Sequence, residues 1–170
     1  TGLGLKLASG LLSLSGGMPI IALFFTMIAC IILGMGVPTT ANYVIMATIT
    51  APIVINMGIE TLAAHMFVFY FGIVADITPP VALAAYAGSA IAKSDPFKTG
   101  VTATRLAITA FLIPYIFALN PTMLFINATP MDVVTIIVTS VIGMIGISAG
   151  MEGYMVGHMA PWERLLTIAG

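Results

Sequence analysis

Charge is what this sequence has least of. Its 170 residues hold five Lys or Arg and six Asp or Glu, so 6 % of positions are charged, against roughly a quarter in an ordinary soluble domain. So few charges cannot cover a soluble surface, which excludes a cytosolic enzyme. They cannot form the basic stripe of a nucleic-acid binder either, and a disordered tail would not be 60 % hydrophobic. Cysteine is almost missing. Cys30 stands alone, so there is no internal disulfide or thiolate metal site, and in its apolar run it reads as a packing residue. No nucleophile elbow, HExxH or paired intramembrane aspartates occur, which argues against an enzyme such as an intramembrane hydrolase. Gly34-Met35-Gly36 lacks the third glycine of a dinucleotide fingerprint and follows no strand.

What is abundant is apolar sequence. There are 53 uncharged residues between Lys6 and Glu60, 26 between Arg105 and Asp132, and 19 between Asp132 and Glu152. A spanning helix needs about 20 apolar residues, so these runs predict an all-α, polytopic helical membrane protein. A β-barrel would alternate apolar and polar residues in segments of about ten; the runs here are continuous. The twelve methionines read as apolar filler. Gly146/Gly150 and Gly153/Gly157 have the GxxxG spacing of close helix packing.

Along the chain, residues 1–17 read as an interfacial arm. An apolar helix over 18–33 meets a break at 34–40, where two glycines, a proline and two threonines fall together. Helix resumes from about Ala41 and fades at 56–58, with Pro52 as a kink. A second helix runs from about Glu60 through His65 to Asp76. It stops at Ile77-Thr78-Pro79-Pro80, because tandem prolines remove two backbone donors, and a short helix over 81–92 follows. Residues 93–98 read as a polar loop, 102–119 as a full span carrying Pro114, 133–149 as another, and 152–164 as lying outside the membrane. Residues 165–170 look like the start of a further apolar segment, so the chain reads as a piece of a larger membrane protein. Lys93, Lys98 and Arg105 place their loop in the cytoplasm by the positive-inside rule, with Lys6 as an exception. Both ends of the 53-residue run then face the opposite side.

The functional signal lies in the two breaks. A backbone group left unsatisfied in hydrocarbon costs several kcal/mol, so a broken helix persists only inside protein or against a polar cavity. Freed carbonyls and half-helix ends there make a site for a cation. Gly34, Gly36, Thr39 and Thr40 at the first break, and Asp76, Thr78 and Pro79 at the second, are the candidate cation-site residues. Their oxygens suit a small alkali cation. The 16-residue leg before the first break reaches roughly 24 Å. The two legs form either a re-entrant hairpin or two short spans, and the uncharged turn favours the hairpin. Asp76 is the one carboxylate expected deep in the membrane, where it costs about 2.5–3.5 kcal/mol and is a functional candidate by default. His65 shares its helix face about 16 Å away and is expected at the outer interface. The alternative is a non-transporting helix-packing module of a membrane complex, whose breaks only accommodate neighbouring helices.

The order Gly34-Met35-Gly36-Val37-Pro38-Thr39-Thr40, then Ala63-Ala64-His65-Met66-Phe67-Val68-Phe69-Tyr70-Phe71-Gly72, then Asp76-Ile77-Thr78-Pro79-Pro80-Val81-Ala82-Leu83-Ala84-Ala85-Tyr86 and Asp95-Pro96 resembles the large membrane subunit of tripartite ATP-independent periplasmic (TRAP) transporters. It looks most like the fused permeases paired with TAXI-type binding proteins, over about residues 2–125. The resemblance implies the second of two inverted repeats in an elevator-type, sodium-coupled symporter for organic acids (carboxylates), a member of the ion transporter superfamily in the bacterial inner membrane. A transport-domain repeat would occupy 18–92, with a re-entrant hairpin at 18–57 and a broken helix at 61–92. C-terminal transmembrane helices would fill 93–170. It further implies sodium as the coupling ion and no other cofactor. The implied partners are a periplasmic substrate-binding protein, a small membrane subunit or its fused equivalent, the N-terminal half of the same permease and the lipid bilayer, with no nucleic acid.

Overall fold

The computed structural model describes residues 18–169, with Gly10 and Ser13 before them. The expected arm at 1–17, Lys6 included, otherwise lies outside the described residues. Those residues are helical, with no strand among them beyond an isolated bridge between Tyr154 and His158. They belong to two compact units, 1–105 and 106–170.

In the first unit α1 (Pro19–Gly34) opens on Pro19, a position where a missing N–H costs nothing. Met35 is extended and Gly36 takes a φ of +74°, a left-handed value that glycine adopts without strain and that turns the chain back. Pro38 then caps α2 (Thr39–Ile49). Thr39 and Thr40, expected in the break, therefore form the first turn of the returning helix. That helix gives way at Thr50 to α3 (Ala51–Asn56). Pro52 has no N–H for the Thr48 carbonyl, so the expected kink falls two residues before the proline.

Helix α4 (Thr61–Val74) starts where the Glu60 carboxylate accepts from Leu62 N at 2.6 Å, and it tightens into a 3-10 turn at Ala75–Ile77. The Pro79–Pro80 bond is cis. Ala82, at the N-cap, is left-handed, so α5 (Leu83–Ala92) begins two residues later than expected. Asp95 Oδ1 accepts from Lys98 N at 2.8 Å at the start of α6 (Pro96–Leu106), which shortens the expected polar loop at 93–98. The hairpin helices α1, α2 and α3 pack on α4. Phe67 and Phe71, ring centroids 4.9 Å apart, fill that core with Leu23 and Met46.

The span expected at 102–119 is not one helix. Helix α6 stops at Leu106, and a 3-10 turn at Ile108–Phe111 precedes α7 (Ile113–Leu119). Pro114 cannot donate to the Ala110 carbonyl and its ring crowds it, so the chain before it winds more tightly. In the second unit α8 (Pro130–Glu152) is continuous over 23 residues, roughly 34 Å at 1.5 Å per residue. Among the described residues it alone is long and apolar enough to cross a membrane by itself. A capping box of Thr129 and Asp132 opens it, and Val134, Val138, Val141 and Ile142 stay exposed along it, an apolar surface that needs lipid or protein to cover it.

Helix α9 (Pro161–Ala169) folds back on α8. It is helical from Pro161, with the Glu163 carboxylate accepting from Ala160 N at 2.7 Å, so the residues from 165 continue a helix that starts four residues earlier. A Cβ added at Gly150 would come within 2.6 Å of Ile168 Cγ1, and one at Gly146 within 3.0 Å of Thr167 O. That glycine pair is the close-packing surface. The second pair is not, because Gly157 meets nothing within 4 Å.

Candidate functional site

The two breaks meet. A Cβ added at Gly34, the last residue of α1, would stand 2.9 Å from Gly72 O, 2.9 Å from Asn42 Nδ2 and 3.1 Å from Ala75 Cβ. One added at Gly72, in α4, would stand 2.8 Å from Asn42 Nδ2. Between these glycines Asn42, in the first turn of α2, donates from Nδ2 to Gly72 O at 2.9 Å. At the hairpin tip a Cβ on Gly36 would lie 3.9 Å from Val81 Cγ1. The tip therefore touches the chain on both sides of the Asp76–Pro80 segment, at Ala75 and at Val81.

Asn42 is 3 % exposed, and its Oδ1 has no hydrogen-bond partner. The amide cannot be turned over to help, since Oδ1 would then oppose Gly72 O, acceptor against acceptor. A buried acceptor left unpaired costs about 1–3 kcal/mol. Chemically, the junction of hairpin and break therefore presents a hard oxygen with both lone pairs unengaged. Sequence reasoning passed over this residue. The signal was there: a primary amide inside a 53-residue uncharged run is costly in a membrane unless something pairs with it.

The other candidates are arranged less closely. Asp76 is half-buried in the 3-10 turn. The Thr78 hydroxyl donates to Val74 O at 2.8 Å, keeping its lone pairs. Gly36, Thr39 and Thr40 are exposed. Pro79 packs on α6, its Cγ 3.2 Å from where a Cβ at Gly100 would be. The carbonyls of the second break are mostly taken, contrary to the expectation that it leaves them bare. Thr78 N donates to Ala75 O at 3.2 Å and Ala82 N to Thr78 O at 3.2 Å. Thr104 Oγ1 donates to Ile77 O at 3.0 Å, and Tyr86 Oη to Pro80 O at 2.6 Å. Elsewhere on the same helix pair, Tyr43 Oη and His65 Nδ1 lie 3.2 Å apart. Among the described residues no group of three or more His, Cys, Asp or Glu gathers to hold a metal ion.

No curated protein and no solved structure matches the chain significantly. The family profile described as "Tripartite ATP-independent periplasmic transporter, DctM component" matches residues 1–131, which include both breaks and every helix from α1 to α7. With most of its length matched, and a hairpin seated against a broken helix inside that length, the chain belongs to the DctM family of tripartite ATP-independent periplasmic transporters and is a membrane-embedded permease component.

Proposed function

We propose that this permease component takes up organic acids by sodium symport across the bacterial inner membrane, fed by a periplasmic binding protein and accompanied by a small membrane subunit or its fused equivalent. Asn42 carries the reading. Its buried Oδ1 lacks a partner at the place where the hairpin tip meets the break, and a sodium ion accepts hard oxygen ligands of this kind. An ion held by Asn42 together with oxygens of the 76–80 segment would fasten the hairpin to the broken helix. Its charge would then favour a carboxylate beside it. Gly34, Gly36, Thr39, Thr40, Asp76, Thr78 and Pro79 remain the surrounding candidates.

The packing-module reading has its own support in the carbonyls of the second break, whose donors come from Thr78, Ala82, Tyr86 and Thr104. Uptake separates the two. In proteoliposomes holding the whole permease and its binding protein, Asn42→Ala should raise the sodium concentration for half-maximal carboxylate uptake about tenfold, the equivalent of about 1.4 kcal/mol of lost ion binding. The pair Thr39→Ala and Thr78→Ala should raise it less. Sodium-independent uptake overturns the sodium coupling, and half-saturation unchanged in all these variants leaves the breaks as packing features only.

A further inference from the structure

We propose that α6 is a strap fastened across the broken helix, with Thr104 as its positioning residue. Thr104 lies 27 residues beyond Ile77, yet its hydroxyl is 3.0 Å from Ile77 O, the last carbonyl of the 3-10 turn. The same hydroxyl is 3.0 Å from Gly100 O in its own helix. A threonine hydroxyl has one proton, so the two carbonyls share it and either one can hold it. Thr104 therefore releases the break without losing its own partner. The fastening is reversible by construction.

Gly100 explains why α6 comes this near. A Cβ there would stand 3.2 Å from Pro79 Cγ, 3.2 Å from Tyr86 Cε1 and 3.3 Å from Ala82 Cβ. One turn of α6, from Gly100 to Thr104, thus bears on both the diproline and the turn before it. On α5, Tyr86 Oη holds Pro80 O at 2.6 Å, so hydroxyls from two different helices fix carbonyls three residues apart. The start of α6 is pinned separately, by Asp95 Oδ1 accepting from Lys98 N and by Ser94 Oγ lying 2.9 Å from Thr99 Oγ1. A helix anchored at its base and fastened near its far end sets the direction in which the break presents its oxygens.

The consequence for ion binding rests on the proposed sodium coupling; the fastening itself does not. In the whole permease, Thr104→Val should raise the sodium half-saturation of uptake about two- to tenfold, the range of one neutral hydrogen bond, with maximal rate preserved at saturating sodium. Thr104→Ser, which keeps the hydroxyl, should restore it. Gly100→Val, which wedges α6 away from Pro79, should reproduce the Thr104→Val shift. Amide hydrogen exchange supplies a readout independent of sodium: residues 77–82 should exchange faster in Thr104→Val than in Thr104→Ser or the parent. Unchanged exchange in Thr104→Val overturns the strap. So does a loss of maximal rate with sodium half-saturation unmoved, or a failure of serine to rescue. Sodium-independent uptake by the parent protein, with exchange still faster in Thr104→Val, sinks the coupling proposal and leaves the strap standing.

Discussion

Gly34 and Gly72 both look replaceable by alanine on paper, but their surroundings predict different outcomes. At Gly72 the three atoms nearest the new methyl all belong to the side chain of Asn42, at 2.8 Å for Nδ2, 3.3 Å for Cγ and 3.4 Å for Oδ1. Overpacking costs about 1–3 kcal/mol. Displacing Asn42 from Gly72 O leaves a buried amide unpaired, at about 1–3 kcal/mol more. Alanine returns about 1 kcal/mol through helix propensity, so Gly72→Ala should destabilise by about 1–5 kcal/mol. Removing the obstacle should remove most of this cost. Asn42→Ala alone loses one hydrogen bond, about 0.5–1.5 kcal/mol, but also removes the unpaired Oδ1, about 1–3 kcal/mol, and the double variant Gly72→Ala, Asn42→Ala should be no less stable than that single one. At Gly34 the methyl also meets Gly72 O at 2.9 Å and Ala75 Cβ at 3.1 Å, atoms fixed by the backbone of α4 and the 3-10 turn that follows it. There Asn42→Ala should rescue little. The measurement is a double-mutant cycle on the detergent-solubilised permease, reading thermal unfolding through a thiol-reactive dye. Cys30 is fully buried and reacts only when the unit opens, provided any cysteines outside this stretch are replaced. Equal rescue at Gly34 and Gly72, or a Gly72→Ala variant as stable as the parent, refutes the close approach of hairpin tip and break.

Two predictions concern the second unit. Arg164 donates from Nε to Gly150 O and from Nη2 to Met151 O, both at 2.8 Å, closing the C-terminal end of α8. Arg164→Ala should therefore cost about 1.5–3 kcal/mol, the range for a hydrogen bond to a charged group, and Arg164→Lys should recover only part because it lacks the planar fork; amide exchange in 148–153 measures both. At Gly150 an added Cβ would stand 2.6 Å from Ile168 Cγ1, 2.8 Å from Thr167 Oγ1 and 2.9 Å from Arg164 O, so Gly150→Leu should lift α9 off α8. Proteolysis of the 161–169 segment should accelerate in Gly150→Leu and stay at the parental rate in Gly157→Leu, where the added carbon meets nothing.

The parts of the fold that were legible are those where one strong backbone rule acts without competition. The end of α1 at Gly34, the stop after Asp76 and the long apolar α8 follow from glycine, tandem proline and uninterrupted hydrophobicity. The places that misled are those where one residue serves two rules. Thr39 and Thr40 read as part of a break by composition, yet after Pro38 they are good first-turn residues, and the helix begins on them. Residues 102–119 read as one unbroken helix by hydropathy, and the stretch is apolar enough to span only as a broken pair of helices, because Pro114 removes a donor that the preceding turn needs and hydropathy carries no record of donors. The partners of Asn42 and Thr104 were invisible for another reason. Each works across at least 27 residues of chain, Asn42 on Gly72 O and Thr104 on Ile77 O, and only the packing of α2 and α6 against the α4 region says which carbonyl each will find.

These two side chains bear on how a break survives in a membrane. If its carbonyls were bare, the cost in hydrocarbon would be several kcal/mol each, and the segment would hold its shape only while an ion was bound. Here neutral donors hold Val74, Ala75, Ile77, Thr78 and Pro80 carbonyls, so the break stands without an ion. The unpaired acceptor sits instead on Asn42, a side chain of the hairpin. On the proposed sodium reading, the stabilisation that a cation would add is concentrated at the contact between the two elements, rather than spread through the fold of either. Binding would favour the hairpin seated on the break over the hairpin lifted from it, by as much as the ion distinguishes the two arrangements and no more. A sodium-coupled permease of the proposed kind would need the broken helix to be stable whether or not it is loaded, and the hairpin contact to depend on loading; an orphan amide on the hairpin, beside a break whose carbonyls are mostly satisfied, would separate those two requirements.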